Sequence, residues 1–285
     1  MSARPDLVPS VPSRRWRIVR AATASVLLAI VALVLTACIG TTGSNLVTFD
    51  AYAAGPADVP PDTPTRGLSF VNGRGWSITL TRATLRIGAV YLNRSVPVSG
   101  GQERECFLPG VYVAQVLEGR DFDVLSPELQ PFPARGSGTE DFAVTGEVWL
   151  TGGRVDALED STVIASVAGT ATRGDESLRF EGTITIGSNR RAERTDPARP
   201  GANPLCAERI VTPIPVALTP RNTGALVVRV DPRAWFANVE LGELEPVSPD
   251  SDLRIIPDDS SNQPATNLYR GLRAASGVYS FEWIP

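Results

Sequence analysis

From Leu68 to the end of the chain, apolar and polar residues alternate with a period of two in short runs, each closed by Gly, Pro, Asn or Asp. Trp76, Ile78 and Leu80 alternate with Ser77 and Thr79; Leu85, Ile87 and Ala89 alternate with Arg86 and Gly88. Comparable runs cover 111–117, 142–150, 162–172, 178–186, 210–218, 226–230, 236–241 and 278–283. Successive strand side chains point to opposite faces, so each run has one face to bury, which it does by pairing and packing. About ten such strands without alternating long helices predict an all-β fold, an antiparallel β-sandwich or a related barrel. One short C-terminal helix is expected over 263–275, with Asn262 as N-cap, Pro264 in the first turn, Leu268 and Leu272 on one face and Gly277 past its end.

The preceding residues divide into shorter parts. Residues 40–44 are Gly, Thr and Ser, suited to a tether, and 46–54 have strand character. Prolines 56, 60, 61 and 64 then predict an extended connector. The expected organisation is therefore 1–37 as a signal segment, 38–66 as tether, first strand and connector, and 67–285 as one β-rich domain.

Arg14, Arg15, Arg17 and Arg20 precede an unbroken apolar and small run from Ala21 to Leu35, the order of an export signal. The run ends in Leu35, Thr36, Ala37 and Cys38, which resembles the lipobox of bacterial lipoprotein precursors. That resemblance covers residues 1 to 38 only. It implies that the Cys38 thiol receives a diacylglycerol, that cleavage falls between Ala37 and Cys38, and that the mature protein is held by acyl chains, palmitate among them, on the outer side of a bacterial cell membrane. Several chains on one residue anchor stably, where one chain binds only marginally. The alternative reading of the same segment is an uncleaved span of about 17 residues, at the short limit for crossing a bilayer.

Of the ionisable residues, 27 are basic and 31 acidic, with no His and every basic residue an Arg. Removing the five Arg and the one Asp of residues 1–37 leaves 22 against 30, a net charge of −8. An acidic body has no concentrated basic face for phosphates, so nucleic acid is set aside as a partner. With Cys38 lipidated, Cys106 and Cys206 remain as a pair in an oxidising compartment, where a disulfide is the natural expectation.

Without His or Lys, the Ser-His-Asp and Cys-His hydrolases, His-ligated metals and Schiff-base chemistry are all unavailable. Carboxylate chemistry survives, and the adjacent acids Asp121 and Asp123, Glu140 and Asp141, and Glu159 and Asp160 fall near expected turns, where turn chemistry accounts for them. Asp250, Asp252, Asp258 and Asp259 offer calcium-type oxygen ligands but lack the spacing of an EF-hand loop. Arg190, Arg191, Arg194 and Arg199, interleaved with Glu193 and Asp196, read as a solvated loop, or as a site for an acidic ligand. Core is the first reading of Trp76, Trp149, Trp235, Trp283, Tyr91, Tyr112 and Phe236; two or three of them on one open sheet face would form a sugar-stacking or apolar-ligand platform.

These observations favour a non-enzymatic, membrane-anchored envelope lipoprotein that binds a small molecule or a protein partner and needs no cofactor. The alternatives are an assembly lipoprotein of an envelope complex and a carboxylate-dependent glycan hydrolase, which requires two carboxyl groups about 5 to 10 Å apart across a groove.

Overall fold

The structure, a computed structural model, describes residues 45–96, 110–157, 160–190 and 205–285. Its strands and helices are β1 (Leu46–Ala54), α1 (Thr63–Arg66), β2 (Leu68–Val71), β3 (Ser77–Ile87), β4 (Ala89–Asn93), β5 (Tyr112–Val116), β6 (Arg120–Asp123), β7 (Gln130–Pro131), β8 (Gly136–Thr139), β9 (Ala143–Trp149), β10 (Val163–Arg173), β11 (Glu176–Thr185), α2 (Leu205–Arg209), β12 (Ile210–Leu218), β13 (Ala225–Val230), β14 (Leu253–Ile256), α3 (Gln263–Leu272) and β15 (Tyr279–Ile284). No helix among the described residues is long and apolar enough to cross a membrane.

The strands form two sheets. The larger runs β12-β9-β4-β5-β8-β1-β13-β15, with β7 added to β1; the smaller runs β14-β11-β10-β3-β2, with β6 added to β3. In the larger sheet the end strands β12 and β15 approach each other, so the sheet curls into a nearly closed barrel. Across its interior the Phe281 ring of β15 faces Gly146 of β9, where an added Cβ would lie 2.6 Å from the ring. Inward residues such as Phe49, Val90, Leu92, Val148 and Val228 are buried, and Trp283 packs edge-on against Phe49 at 5.2 Å. The two edge strands, β12 and β15, thus lie close together without a ladder between them.

Residues 77–80 and 85–87 of the two runs belong to one continuous strand, β3, and after a switch of sheet at Gly88 Ala89 opens β4. The chain can switch there because Gly88 lies against the Thr151 carbonyl, 2.4 Å from where a Cβ would sit. Two pairings depart from the antiparallel expectation, since β1–β13 and β11–β14 are parallel. The first strand, β1, sits between β8 and β13 in the larger sheet. The proline-rich connector contains the one-turn helix α1, which accepts Pro64 at its start, where no backbone donor is needed.

Residues 236–241 are not a strand. Asp231 and Glu240 accept hydrogen bonds from the Arg233 and Gly242 amides and cap two 3₁₀ turns, Pro232–Phe236 and Leu241–Glu243. The Asn72 side chain donates to the Phe236 and Val239 carbonyls, replacing a strand partner. Trp235, Phe236, Val239 and Leu241 are thereby driven into the core. The C-terminal helix α3 starts as expected, with the Asn262 side chain accepting from the Ala265 amide at 2.9 Å and Leu268 and Leu272 buried, but it ends at Leu272, three residues before Ala275.

Candidate functional site

On the outer face of the barrel, strand register assembles an aromatic and polar cluster. β4 pairs with β9 so that Tyr91 lies opposite Glu147, Asn93 opposite Thr145 and Ala89 opposite Trp149. These residues share the face opposite to Val90, Leu92, Gly146 and Val148. A bulge between Leu92 and Asn93 shifts β5 by one residue and sets Tyr112 opposite Asn93. The result is a row of three rings: Tyr91 lies 4.6 Å from Trp149 and 5.0 Å from Tyr112, both tilted. Tyr91 and Trp149 are half-buried, and Tyr112 is 36% exposed.

Glu147 lies within this row and is fully buried. Asn93 Nδ2 donates to its Oε1 at 2.9 Å and Trp149 Nε1 to its Oε2 at 3.1 Å. Burial raises its pKa above the ordinary carboxyl value, and the two hydrogen bonds oppose that rise without cancelling it. Burial, helped by the Glu147 charge, also raises the Tyr91 pKa and pushes that of Tyr112 up to about 12. Asn93 Oδ1 is a buried acceptor without a donor.

A pH dependence follows from Glu147. As pH rises past the titration range of an unfolded carboxyl, the unfolded chain releases this proton while the folded one retains it, so stability falls until the folded group ionises as well. Each pH unit of elevation corresponds to about 1.4 kcal/mol. The melting temperature of the wild type minus that of Glu147→Gln is expected to fall as pH rises from about 4, and to level off once the folded group ionises. A constant difference across that range would show that Glu147 titrates normally.

Beside the rings, an open depression of about 450 Å³ is lined by Leu46, Thr48, Tyr112, Gln115, Ser137 and Thr139, among others. The small residues of β8, Gly136 to Thr139, keep its floor low. Its hydroxyl and amide groups stand next to the Tyr112 ring, an apolar surface bordered by neutral hydrogen-bonding groups. Comparison with protein families, characterised proteins and solved structures finds no match to this chain. The arrangement of the residues alone carries the functional reading.

Other residues singled out in the sequence lie elsewhere. Cys38, Ala37, Cys106, Arg191, Glu193, Arg194, Asp196, Arg199 and Glu159 fall outside the described residues. Asp252 forms a two-pronged pair with Arg179, at 2.7 and 2.8 Å. Asp258 accepts from Thr185 and Arg190, Asp259 from the Ser261 amide, and Asp250 stays apart from them in a turn. The calcium candidates are thus engaged separately, and among the described residues no three His, Cys, Asp or Glu side chains converge on a metal-sized site. Arg190 is not solvated as expected: it is buried, hydrogen-bonded to the Thr185 and Asp259 carbonyls and stacked 4.3 Å from the Tyr269 ring. Of the acidic pairs, Asp121 bonds Arg86, Asp141 pairs with Arg94, and Asp123 and Asp160 accept from nearby turn amides. Trp76, Trp235 and Phe236 are core, whereas Tyr91, Tyr112 and Trp149 form the platform.

Proposed function

We propose that this protein is a non-enzymatic envelope lipoprotein, anchored through Cys38, that holds a neutral glycan on the outer face of its barrel. The observation that carries the binding reading is the row Trp149–Tyr91–Tyr112 alongside a depression lined by Gln115, Ser137, Thr139 and Thr48. A sugar ring presents an apolar C–H face that stacks on aromatic rings and a hydroxyl edge that bonds neutral amides and alcohols. Among the described residues, the acid within the aromatic row supports binding over hydrolysis. Glu147 is closed off from solvent with both oxygens accepting hydrogen bonds, and burial, Trp149 and Asn93, not a second carboxylate, set its ionisation.

The anchor rests on the segment ending Leu35-Thr36-Ala37-Cys38, and the same reading assigns Cys106 and Cys206 to a disulfide. It places the body outside the cytoplasm, where Cys206, buried on α2, has an oxidising environment in which to pair.

Intact mass of the membrane-extracted protein tests the anchor: loss of residues 1–37 and added acyl mass are expected. Retention of those residues without acyl mass overturns it. For the ligand, titration with N-acetylglucosamine oligomers is expected to change tryptophan fluorescence saturably, with Tyr112→Ala weakening the affinity roughly ten-fold, about 1.4 kcal/mol. An unchanged affinity in Tyr112→Ala would remove the platform from the binding site.

A further inference from the structure

We infer that one rim of the barrel, carrying Leu46, Val96, Val111 and Phe142, rests in the interfacial layer of the membrane to which the protein is anchored. All four side chains are exposed; Leu46 is 82% accessible and Phe142 54%. A chain of contacts joins them at one end of the barrel. Leu46 pairs with Thr139, whose hydroxyl bonds Asp141; Asp141 pairs with Arg94; and the Arg94 amide donates to the Val111 carbonyl. Phe142 follows Asp141 directly, and Val96 follows Ser95, whose carbonyl accepts from Thr145.

The inference rests on the Cys38 anchor proposed above, and chain length turns that anchor into a geometric constraint. Asn45, at the start of β1, is fastened to this rim by hydrogen bonds of 2.9 and 3.2 Å with Glu140. Cys38 lies seven residues earlier. Seven residues span at most about 25 Å when fully extended, so acyl chains on Cys38 hold this end of the body beside the bilayer. Exposed apolar side chains on a tethered rim gain by entering the interface. Among the described residues, Arg94 of the rim pairs with Asp141 and Arg221 with Glu140. With a body of net charge −8, the contact is apolar rather than an electrostatic attraction to anionic lipid.

The full-length lipidated protein, reconstituted in phosphatidylethanolamine and phosphatidylglycerol vesicles, tests this. A benzophenone amino acid replaces either Phe142 or Leu117, which is comparably exposed at the opposite end of β5. After irradiation, lipid adducts are expected at least five-fold more often at 142 than at 117, with the ratio unchanged by added salt. Equal yields at the two positions, or adducts at 142 to another protein or a second copy in place of lipid, overturn the membrane-facing rim while acyl mass on Cys38 upholds the anchor. If the same preparation carries no acyl mass, the anchor reading fails, and the rim inference with it.

Discussion

Replacing Arg209 by methionine is expected to destabilise the body by about 3 to 5 kcal/mol, because four backbone carbonyls lose hydrogen bonds from a charged donor, each worth about 1.5 to 3 kcal/mol before relaxation. Arg209 is fully buried at the end of α2. Its Nε and Nη2 donate to the Ile186 carbonyl at 2.9 and 2.6 Å, and its Nη1 to those of Arg154, Val155 and Ala157 at 3.3, 2.9 and 2.6 Å. One guanidinium thus ties the loop after β9 and the end of β11 to the helix that precedes β12. Burial pulls its pKa below the usual guanidinium value, against the opposing influence of Asp160 and Asp156. Methionine fills much of the volume but leaves those carbonyls without donors, and a buried unsatisfied acceptor costs about 1 to 3 kcal/mol. For a body of 241 residues the melting temperature should fall by roughly 6 to 20 °C, at about 2 to 4 °C per kcal/mol. Arg209→Lys, with three donors on a single nitrogen, should fall between the two. A methionine variant that melts within 2 °C or so of wild type would mean that water or rearranged chain satisfies these carbonyls, and that the clamp is not what holds the loop.

Where burial alternates along a strand, the sequence shows it. In β1, β3, β10 and β11 buried and exposed positions succeed each other with few breaks, and each coincides with a run of alternating residues. β4 is different: four of its five residues are buried, which leaves no period to detect. β8, Gly-Ser-Gly-Thr, has no apolar side chain. The parallel pairing of β1 with β13 joins residues such as Asp50 and Ala225, far apart in the chain, and local pattern holds no trace of that choice. Phe236–Leu241 does alternate, and misleads, because Asn72 from another part of the chain satisfies the backbone that a strand would have supplied.

The site divides along the same line. Tyr91, Tyr112 and Trp149 stand out as aromatics, and the condition for a platform, several on one open face, follows from two-residue spacing once strands are paired. The bulge that sets Tyr112 opposite Asn93 is a property of two strands together. Glu147 gave no signal of burial: in a strand with one face to solvent, an acid two residues before Trp149 reads as an exposed side chain. Its partner Asn93 lies 54 residues away. The hint available was positional, since Thr145, Glu147 and Trp149 share a face and an acid between a threonine and a tryptophan can be hydrogen-bonded by its neighbours.

The second large effect concerns the cysteines. With Cys106 and Cys206 paired, the bond closes a loop of about 100 residues, and in the chain-entropy view this removes unfolded conformations worth roughly 4 to 5 kcal/mol. Cys206 is three residues before Arg209 on the same short helix and is itself buried. A helix of five residues has little stability of its own, so its place depends on what holds its two ends: the guanidinium at one and, in the proposed pairing, the cysteine at the other. Reduction, or the pair Cys106→Ser with Cys206→Ser, is therefore expected to lower the urea midpoint. It should also make the Arg209→Met cost smaller than in the oxidised protein, because a helix already loosened has less left to lose. The double-mutant comparison measures that coupling directly, as contacting or shared elements depart from additivity by about 0.5 to 3 kcal/mol. Equal midpoints with and without reductant would refute the pairing, whereas a lowered midpoint with strictly additive Arg209 costs would leave the disulfide in place and separate it from the clamp.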